Sequence, residues 1–264
     1  VSHIRATSRA GINFDFVYGL PGQTPEGYLD TLKRAASMKP DRLVTFSYAH
    51  VPWIKNNQKI LEKTGIPGPG QKLDMLLGGY NYLTDEGYDP IGMDHFALPG
   101  DEMAKAFRDH LLHRNFQGYC TMKHTGQVYA FGASSISQLH HAYFQNTRTA
   151  ASYIQMIENS GLATDRGYIL NEEEKVIRGV ISQVMCNGAL DLNTEAIKLG
   201  LELSALKEIL NYSEERFKGL ENDGLLILGG DRIDATPEGM LLIRVLAREL
   251  DPYYESYRKC FSRT

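Results

Sequence analysis

Ile12-Asn13-Phe14-Asp15-Phe16-Val17-Tyr18-Gly19-Leu20-Pro21-Gly22-Gln23-Thr24-Pro25-Glu26 is the stretch that decides the fold class. Ile12–Tyr18 is apolar everywhere except Asn13 and Asp15, the composition of a parallel strand covered on both faces. Gly19-Leu20-Pro21-Gly22 is turn chemistry. Thr24 then reads as an N-cap, Pro25 as the first helical residue and Glu26 as a first-turn acid. The spacing predicts a helix to about Met38, stopped before Pro40. Strand, tight turn and capped helix together make a βα unit.

The same alternation continues outward. Leu43–Tyr48 reads as the next strand. A loop rich in Pro and Gly leads to a helix over about Gln71–Glu86, with Leu73, Leu76, Leu77 and Tyr80 on one face. Tyr88–Met93 reads as a third strand. The order predicts an α/β fold with a parallel sheet or barrel. A complete eight-unit barrel needs more chain than 264 residues leave for it, so an open or partial barrel is expected. From Asp94 to about His141 the pattern loosens, with short strands near Gln117–Met122 and Val128–Phe131. Polar residues crowd this irregular stretch, which marks either a site-forming region or a solvated loop.

Near Leu170 the character changes. Asn171 and Glu174 form a capping-box pattern, and Val176, Ile177, Val180, Ile181 and Val184 make a helical stripe. Further helices are expected at Thr194–Gly200 and Ala205–Lys218. Leu225–Leu228 and Arg232–Ala235 flank Gly229-Gly230-Asp231 as a hairpin, and Thr236-Pro237-Glu238 caps a last helix to about Leu250. Helices, a hairpin and a closing helix resemble a winged helix. The expected division is residues 1–168 for the α/β portion and 169–264 for a mainly helical domain.

Composition narrows the function classes. Apolar residues make up 42% and charged residues 23%, the balance of a globular protein. No apolar run reaches the ~18 residues of a membrane span, and Val1–Ala10, with Arg5 and Arg9, is no signal peptide. Between Ile169 and Leu250 nine Lys and Arg face fifteen Asp and Glu, a net charge of −6. Phosphate neutralisation dominates DNA affinity, so the acidic winged-helix-like part is read as packing or substrate-covering, with no nucleic-acid partner. Cys120, Cys186 and Cys260 are odd in number and far apart, which argues against a disulfide framework and for a reducing cytoplasm. The sequence opens without Met and runs almost at once into a strand, which predicts a shortened chain.

Several segments carry a resemblance. The Asn13–Thr24 stretch resembles the "D-L-I-Y-G-L-P-x-Q-T" segment of radical S-adenosylmethionine (SAM) enzymes. Pro40-Asp41-Arg42-Leu43, Tyr48-Ala49-His50-Val51-Pro52 and Gly92-Met93-Asp94-His95-Phe96-Ala97 add to it. Leu112-His113-Arg114-Asn115-Phe116-Gln117-Gly118-Tyr119 is the most telling, and Gly132-Ala133-Ser134-Ser135-Ile136-Ser137 extends it. The chain is similar to oxygen-independent coproporphyrinogen III oxidases. That resemblance implies the C-terminal part of a partial radical SAM barrel, followed by the winged-helix-like domain. It implies oxidative decarboxylation of two propionates of coproporphyrinogen III to vinyls, giving protoporphyrinogen IX, with SAM and a [4Fe–4S] cluster as cofactors. The cluster's CxxxCxxC is not in this chain, so no metal ligand is assigned and the chain alone is expected to be inactive.

Carried over by motif, Asp15, Val17, Ala49, Gln117 and Ile136 are the expected SAM contacts. Asp15 also stands out from its residues alone, because a carboxylate in a fully buried strand needs a partner. A substrate with four propionates needs cations, and Arg114, His113 and Lys123 lie around one segment. Arg114 is the first choice, with a solvated surface Arg as the plain alternative. Asp94 and His95 either pair within the cavity or fix the loop after the third strand. No residue is assigned a catalytic role, and the electron acceptor is unknown. The intact enzyme is expected to be a cytoplasmic monomer. The alternative function is a haem chaperone of the same superfamily, which binds and transfers haem without oxidation.

Overall fold

A computed structural model describes residues 1–121 and 126–257. Contacts divide the described residues into two compact units: Val1–Arg108 with Tyr253–Tyr257, and Asp109–Pro252. The residues 109–168, expected with the α/β portion, thus group by contacts with the helical part.

In the first unit, α1 (Ser2–Thr7) precedes β1 (Asn13–Tyr18), α2 (Pro25–Ala36) and β2 (Arg42–Ser47). A 3-10 helix over Asn56–Thr64 leads into α3 (Pro69–Asp85), β3 (Asp89–Ile91), β4 (His95–Ala97) and α4 (Glu102–Arg108). Thr24 caps α2 by accepting from the Gly27 N–H at 3.1 Å, as its position before Pro25 predicts. β1 and β2 are parallel, with Asp15 opposite Val44 and Val17 opposite Phe46. The expected third parallel strand is instead the β3–β4 hairpin: the order is β1-β2-β4-β3, and β4 runs antiparallel to both neighbours. Gly92, at φ 61°, lies in the connection between β3 and β4, in a conformation that favours glycine. Tyr18, Tyr28, Leu32, Leu43, Met75, Leu83, Tyr88 and Phe96 form the core.

β1 does not lie buried on both faces. Asn13, Asp15 and Val17 are exposed, whereas Phe14, Phe16 and Tyr18 turn toward the core. Among the described residues its sole hydrogen-bonded neighbour in the sheet is β2, so there it is an edge strand.

The second unit opens with the hairpin β5 (Leu112–Asn115) and β6 (Gly118–Thr121). An antiparallel sheet follows, from β7 (Ile136–Gln138), β8 (Ala142–Asn146) and β9 (Thr164–Ile169), with α5 (Ala150–Ser160) between the last two. Then come α6 (Glu172–Asn187), β10 (Ala189–Asp191), α7 (Leu192–Leu199), α8 (Leu203–Ile209) and α9 (Glu215–Asn222). β11 (Leu226–Leu228) and β12 (Arg232–Ala235) form the expected hairpin, which β10 joins as a third strand in the order β10-β12-β11. Helices, hairpin and closing helices thus follow one another in the expected order. The helix expected over Ala205–Lys218 is two, α8 and α9, parted at Asn211, whose φ is 45°. The last one also divides, into α10 (Pro237–Leu241) and α11 (Ile243–Glu249), around Leu242. A short α12 (Tyr254–Tyr257) belongs to the first unit.

Both predicted caps of the helical half are present. Asn171 and Glu174 each accept the other's backbone N–H at 2.8 Å, and Thr236 accepts from Gly239 at 3.0 Å. The α6 stripe buries Ile177, Val180 and Val184, beside Leu190, Leu206, Phe217, Leu226, Ile233 and Leu246.

Candidate functional site

The two units place different candidates. In the first, the Gly19–Gly22 turn leaves β1 at its C-terminal end. Gly19 has φ 78°, and a Cβ there would lie 2.8 Å from Lys72 Cε, so the position calls for glycine twice over. Gln23 closes the turn: its Oε1 accepts from the Leu20 N–H at 3.1 Å and its Nε2 donates to the Val17 carbonyl at 3.4 Å. Lys72 Nζ donates to the Tyr48 carbonyl at 3.0 Å, and burial lowers its pKa. The loop after β2 is held by Gln58, which donates to Ala49 O at 3.1 Å and accepts from Val51 N at 2.6 Å.

Asp15 and Val17, two residues apart, share one exposed face of β1. Ala49 is exposed two residues beyond β2. The Asp15 carboxylate accepts from Asn13 Nδ2 at 2.7 Å. The partner that the sequence pattern demanded for a buried charge is therefore not required for solvation. An open carboxylate beside an exposed Val does fit a ligand rich in hydroxyl and ammonium donors. His50 bonds Glu62 at 3.0 Å, while its Nδ1 and the Tyr48 hydroxyl are buried without partners among the described residues. Asp94 and His95 do pair, at 2.6 Å. The Asp94 carbonyl accepts from the Thr45 N–H at 2.8 Å, so the same residue also ties the loop to β2.

In the second unit, the β5–β6 hairpin, the β7–β8 pair and α6 contribute the walls of a cavity of about 640 Å³. His113, Arg114, Phe116, Gln138, Tyr143 and Arg178 line it. Among the described residues no Asp or Glu does. Arg114 lies over the Tyr119 ring at 5.6 Å. Its Nε is buried and has no hydrogen-bond partner among the described residues. The Gln138 amide nitrogen faces His113 Nε2 at 3.3 Å, which suits a neutral imidazole accepting there. Burial, with the Arg178 charge nearby, pushes the His113 pKa down.

Arg178 was not singled out from the sequence. It donates to the Leu139 carbonyl at 2.9 Å and to the His140 carbonyl, and lies over the Tyr143 ring at 5.5 Å. The available signal was its place in a helix, just off the apolar stripe. Lys198 also reaches the cavity but pairs with Glu195 at 3.2 Å.

The other candidates fall less tightly. Gln117 is exposed at the β5–β6 turn, where its N–H donates to Asn115 Oδ1 at 2.8 Å. Ile136 is half-buried in β7, two residues before Gln138. Neither lines the cavity. Lys123 lies outside the described residues. Burial raises the thiol pKa of Cys120, and that of Cys186 to about 11. Among the described residues no three His, Cys, Asp or Glu gather as metal ligands. These residues do not fit an iron–sulfur cubane, which needs several thiolates close together. No helix among the described residues is long and apolar enough to cross a membrane.

Known proteins match the chain across both units. Over its whole length the chain is 38% identical to the oxygen-independent coproporphyrinogen III oxidase of Bradyrhizobium diazoefficiens, covering 57% of that protein. It is 39% identical to the enzyme of that name from Escherichia coli, over 96% of this chain and 54% of the relative. The chain belongs to the oxygen-independent coproporphyrinogen III oxidase family. It spans a little over half the length of the curated relatives it matches. A solved structure described as coproporphyrinogen III oxidase (HemN) from Escherichia coli, a radical SAM enzyme, superimposes with a TM-score of 0.86 at 38% identity. That match takes in 96% of this chain and 57% of the other. No family model matches. The partial α/β architecture is thus that of a radical SAM oxidase, and the relatives' names give the haem-chaperone alternative no support.

Proposed function

We propose that this chain forms part of an enzyme converting coproporphyrinogen III to protoporphyrinogen IX without oxygen. The reaction turns two propionates into vinyls with loss of carbon dioxide. The observation that carries the reading is the family match over the full 264 residues, at 38% identity. Support comes from the cation-bearing, acid-free cavity, which suits a substrate with four carboxylates.

SAM, when bound, supplies the radical for this chemistry. The residues of this chain then have binding and orienting roles. Asp15 is the acceptor for SAM donors, Val17 packs beside it, and Ala49 offers its backbone. Gln117 and Ile136 complete the SAM contacts. Arg114, His113 and Lys123 serve the propionates. In the whole enzyme, residues 1–168 belong to the barrel portion and 169–264 to the winged-helix-like domain. That enzyme acts as a cytoplasmic monomer on coproporphyrinogen III, with no nucleic-acid partner.

The test joins this sequence to the remaining length of its relatives and assays it anaerobically with SAM and coproporphyrinogen III. Vinyl formation with release of carbon dioxide is expected. Haem binding without any SAM-dependent vinyl formation would overturn the reading.

A further inference from the structure

The second-unit cavity has three features in combination. Its described lining contains Arg114, Arg178 and His113 but no carboxylate. This is unusual in a chain of net charge −4, whose stretch from Ile169 to Leu250 is more acidic still. Cations of a folded protein normally find acids. Arg42, for example, bonds Asp101 and Glu102, and Arg232 bonds Asp234. Arg114 has no ion pair or hydrogen bond among the described residues, and its Nε is buried. A buried guanidinium donor without a partner costs stability, so its retention calls for a ligand acceptor.

The second feature is aromatic. Phe116 and Tyr143 meet edge to face, with centroids 5.6 Å apart, and both line the same cavity. They give an apolar surface beside the cations. The third is rigidity. Arg178 is fixed by two carbonyls and the Tyr143 ring, so it holds the Leu139–His140 segment and the aromatic wall in one arrangement. A volume of about 640 Å³ suits a small organic molecule better than a lone ion.

We infer that this cavity seats one edge of the tetrapyrrole, with a propionate carboxylate on Arg114 and the macrocycle against Phe116 and Tyr143. Arg178 is then a positioning residue. It shapes the wall and does not itself bind the carboxylate, because its guanidinium is already engaged. This assignment rests on the proposed substrate and adds that the second unit of this chain recognises it through charge.

The experiment titrates the whole 264-residue chain with coproporphyrin III, the air-stable oxidised form that keeps all four propionates, and follows porphyrin fluorescence. Coproporphyrin tetramethyl ester, with the same ring and no charge, is titrated in the same detergent-containing buffer. Saturable binding of the acid, at least ten-fold tighter than the ester, is expected. Arg114→Met should weaken acid binding at least ten-fold and leave ester binding unchanged. Equal affinity for acid and ester overturns the inference, and that comparison needs no variant to fold. Wild-type acid binding by Arg114→Met also overturns it. So does the absence of any porphyrin binding by the chain. Vinyl formation by the full-length protein would then leave the proposed reaction standing, so the two failures are separable.

Discussion

Replacing Arg114 by Met separates a binding residue from a structural one, because the two roles predict opposite stability effects. The wild-type side chain keeps a buried Nε without a partner among the described residues. Such a donor costs about 1–3 kcal/mol. Its stacking on Tyr119, at 5.6 Å, returns about 0.5–2 kcal/mol. Met is of similar length, has no donor to satisfy, and makes favourable contacts with an aromatic ring. The terms nearly cancel, so Arg114→Met should leave the unfolding free energy within about 1 kcal/mol of wild type, or raise it. Carboxylate binding should lose a charge-assisted hydrogen bond of about 1.5–3 kcal/mol, roughly ten- to 150-fold in affinity. Urea unfolding followed by circular dichroism gives the first quantity, and porphyrin titration the second. A variant destabilised by more than about 2 kcal/mol would refute the reasoning, since it would show that Arg114 holds the fold together.

Four further outcomes follow from particular contacts. Asp15 is exposed and bonded to Asn13, so Asp15→Asn should leave this chain's stability within about 0.5 kcal/mol of wild type by urea unfolding. In the full-length enzyme the same change should keep the cluster spectrum and cost about ten-fold in SAM-dependent turnover, equivalent to about 1.4 kcal/mol; unchanged turnover would remove Asp15 from the SAM site. A Cβ on Gly239 would sit 1.8 Å from the Leu225 carbonyl oxygen, so Gly239→Ala should cost about 3 kcal/mol or more by urea unfolding, whereas Gly229→Ala, with open space around it, should cost under about 1. The folded-state pKa of His113 lies below its unfolded value, so its contribution to stability is present above pH ~6.5 and is lost as pH falls through the folded pKa. His113→Gln should therefore flatten the fall in urea midpoint on acidification from about pH 7, and an unchanged slope would count against that environment.

What the sequence made legible was local. Thr24, Asn171 and Thr236 were readable as caps because each bonds a backbone N–H three residues on, a distance that tertiary structure cannot alter. The β11–β12 hairpin was equally local, since its turn residues lie between its strands. Errors began where pairing spans long separations. Tyr88–Met93 has strand composition, but nothing in it announces that the chain reverses at Gly92 and that β4 enters beside β2 instead. Asp15 shows the same limit. Its neighbours predict a strand correctly, but burial depends on which elements cover it, and β1 here has one paired edge and one exposed face.

The site was legible by resemblance and became physical only with the fold. A tetracarboxylate needs cations, which points to Arg114 and His113, but that argument applies to any basic pair on a surface. What distinguishes them is what is missing around them, and composition cannot show that: fifteen acids lie between Ile169 and Leu250, yet none of the described cavity walls carries one. α6 explains how this happens. Ile177, Val180 and Val184 occupy the face that packs into the core, while Arg178, Ser182 and Met185 line the cavity from an adjoining face. The Glu172–Glu174 cluster sits in the helix's first turn, where the helix dipole favours acids. Residues three and four apart share a helix face, so moving an acid onto this lining needs a single substitution, such as Ser182→Glu. A carboxylate on this wall would raise the acid count of a lining that now has none beside Arg114, and the cavity would then compete with its own ligand for that cation.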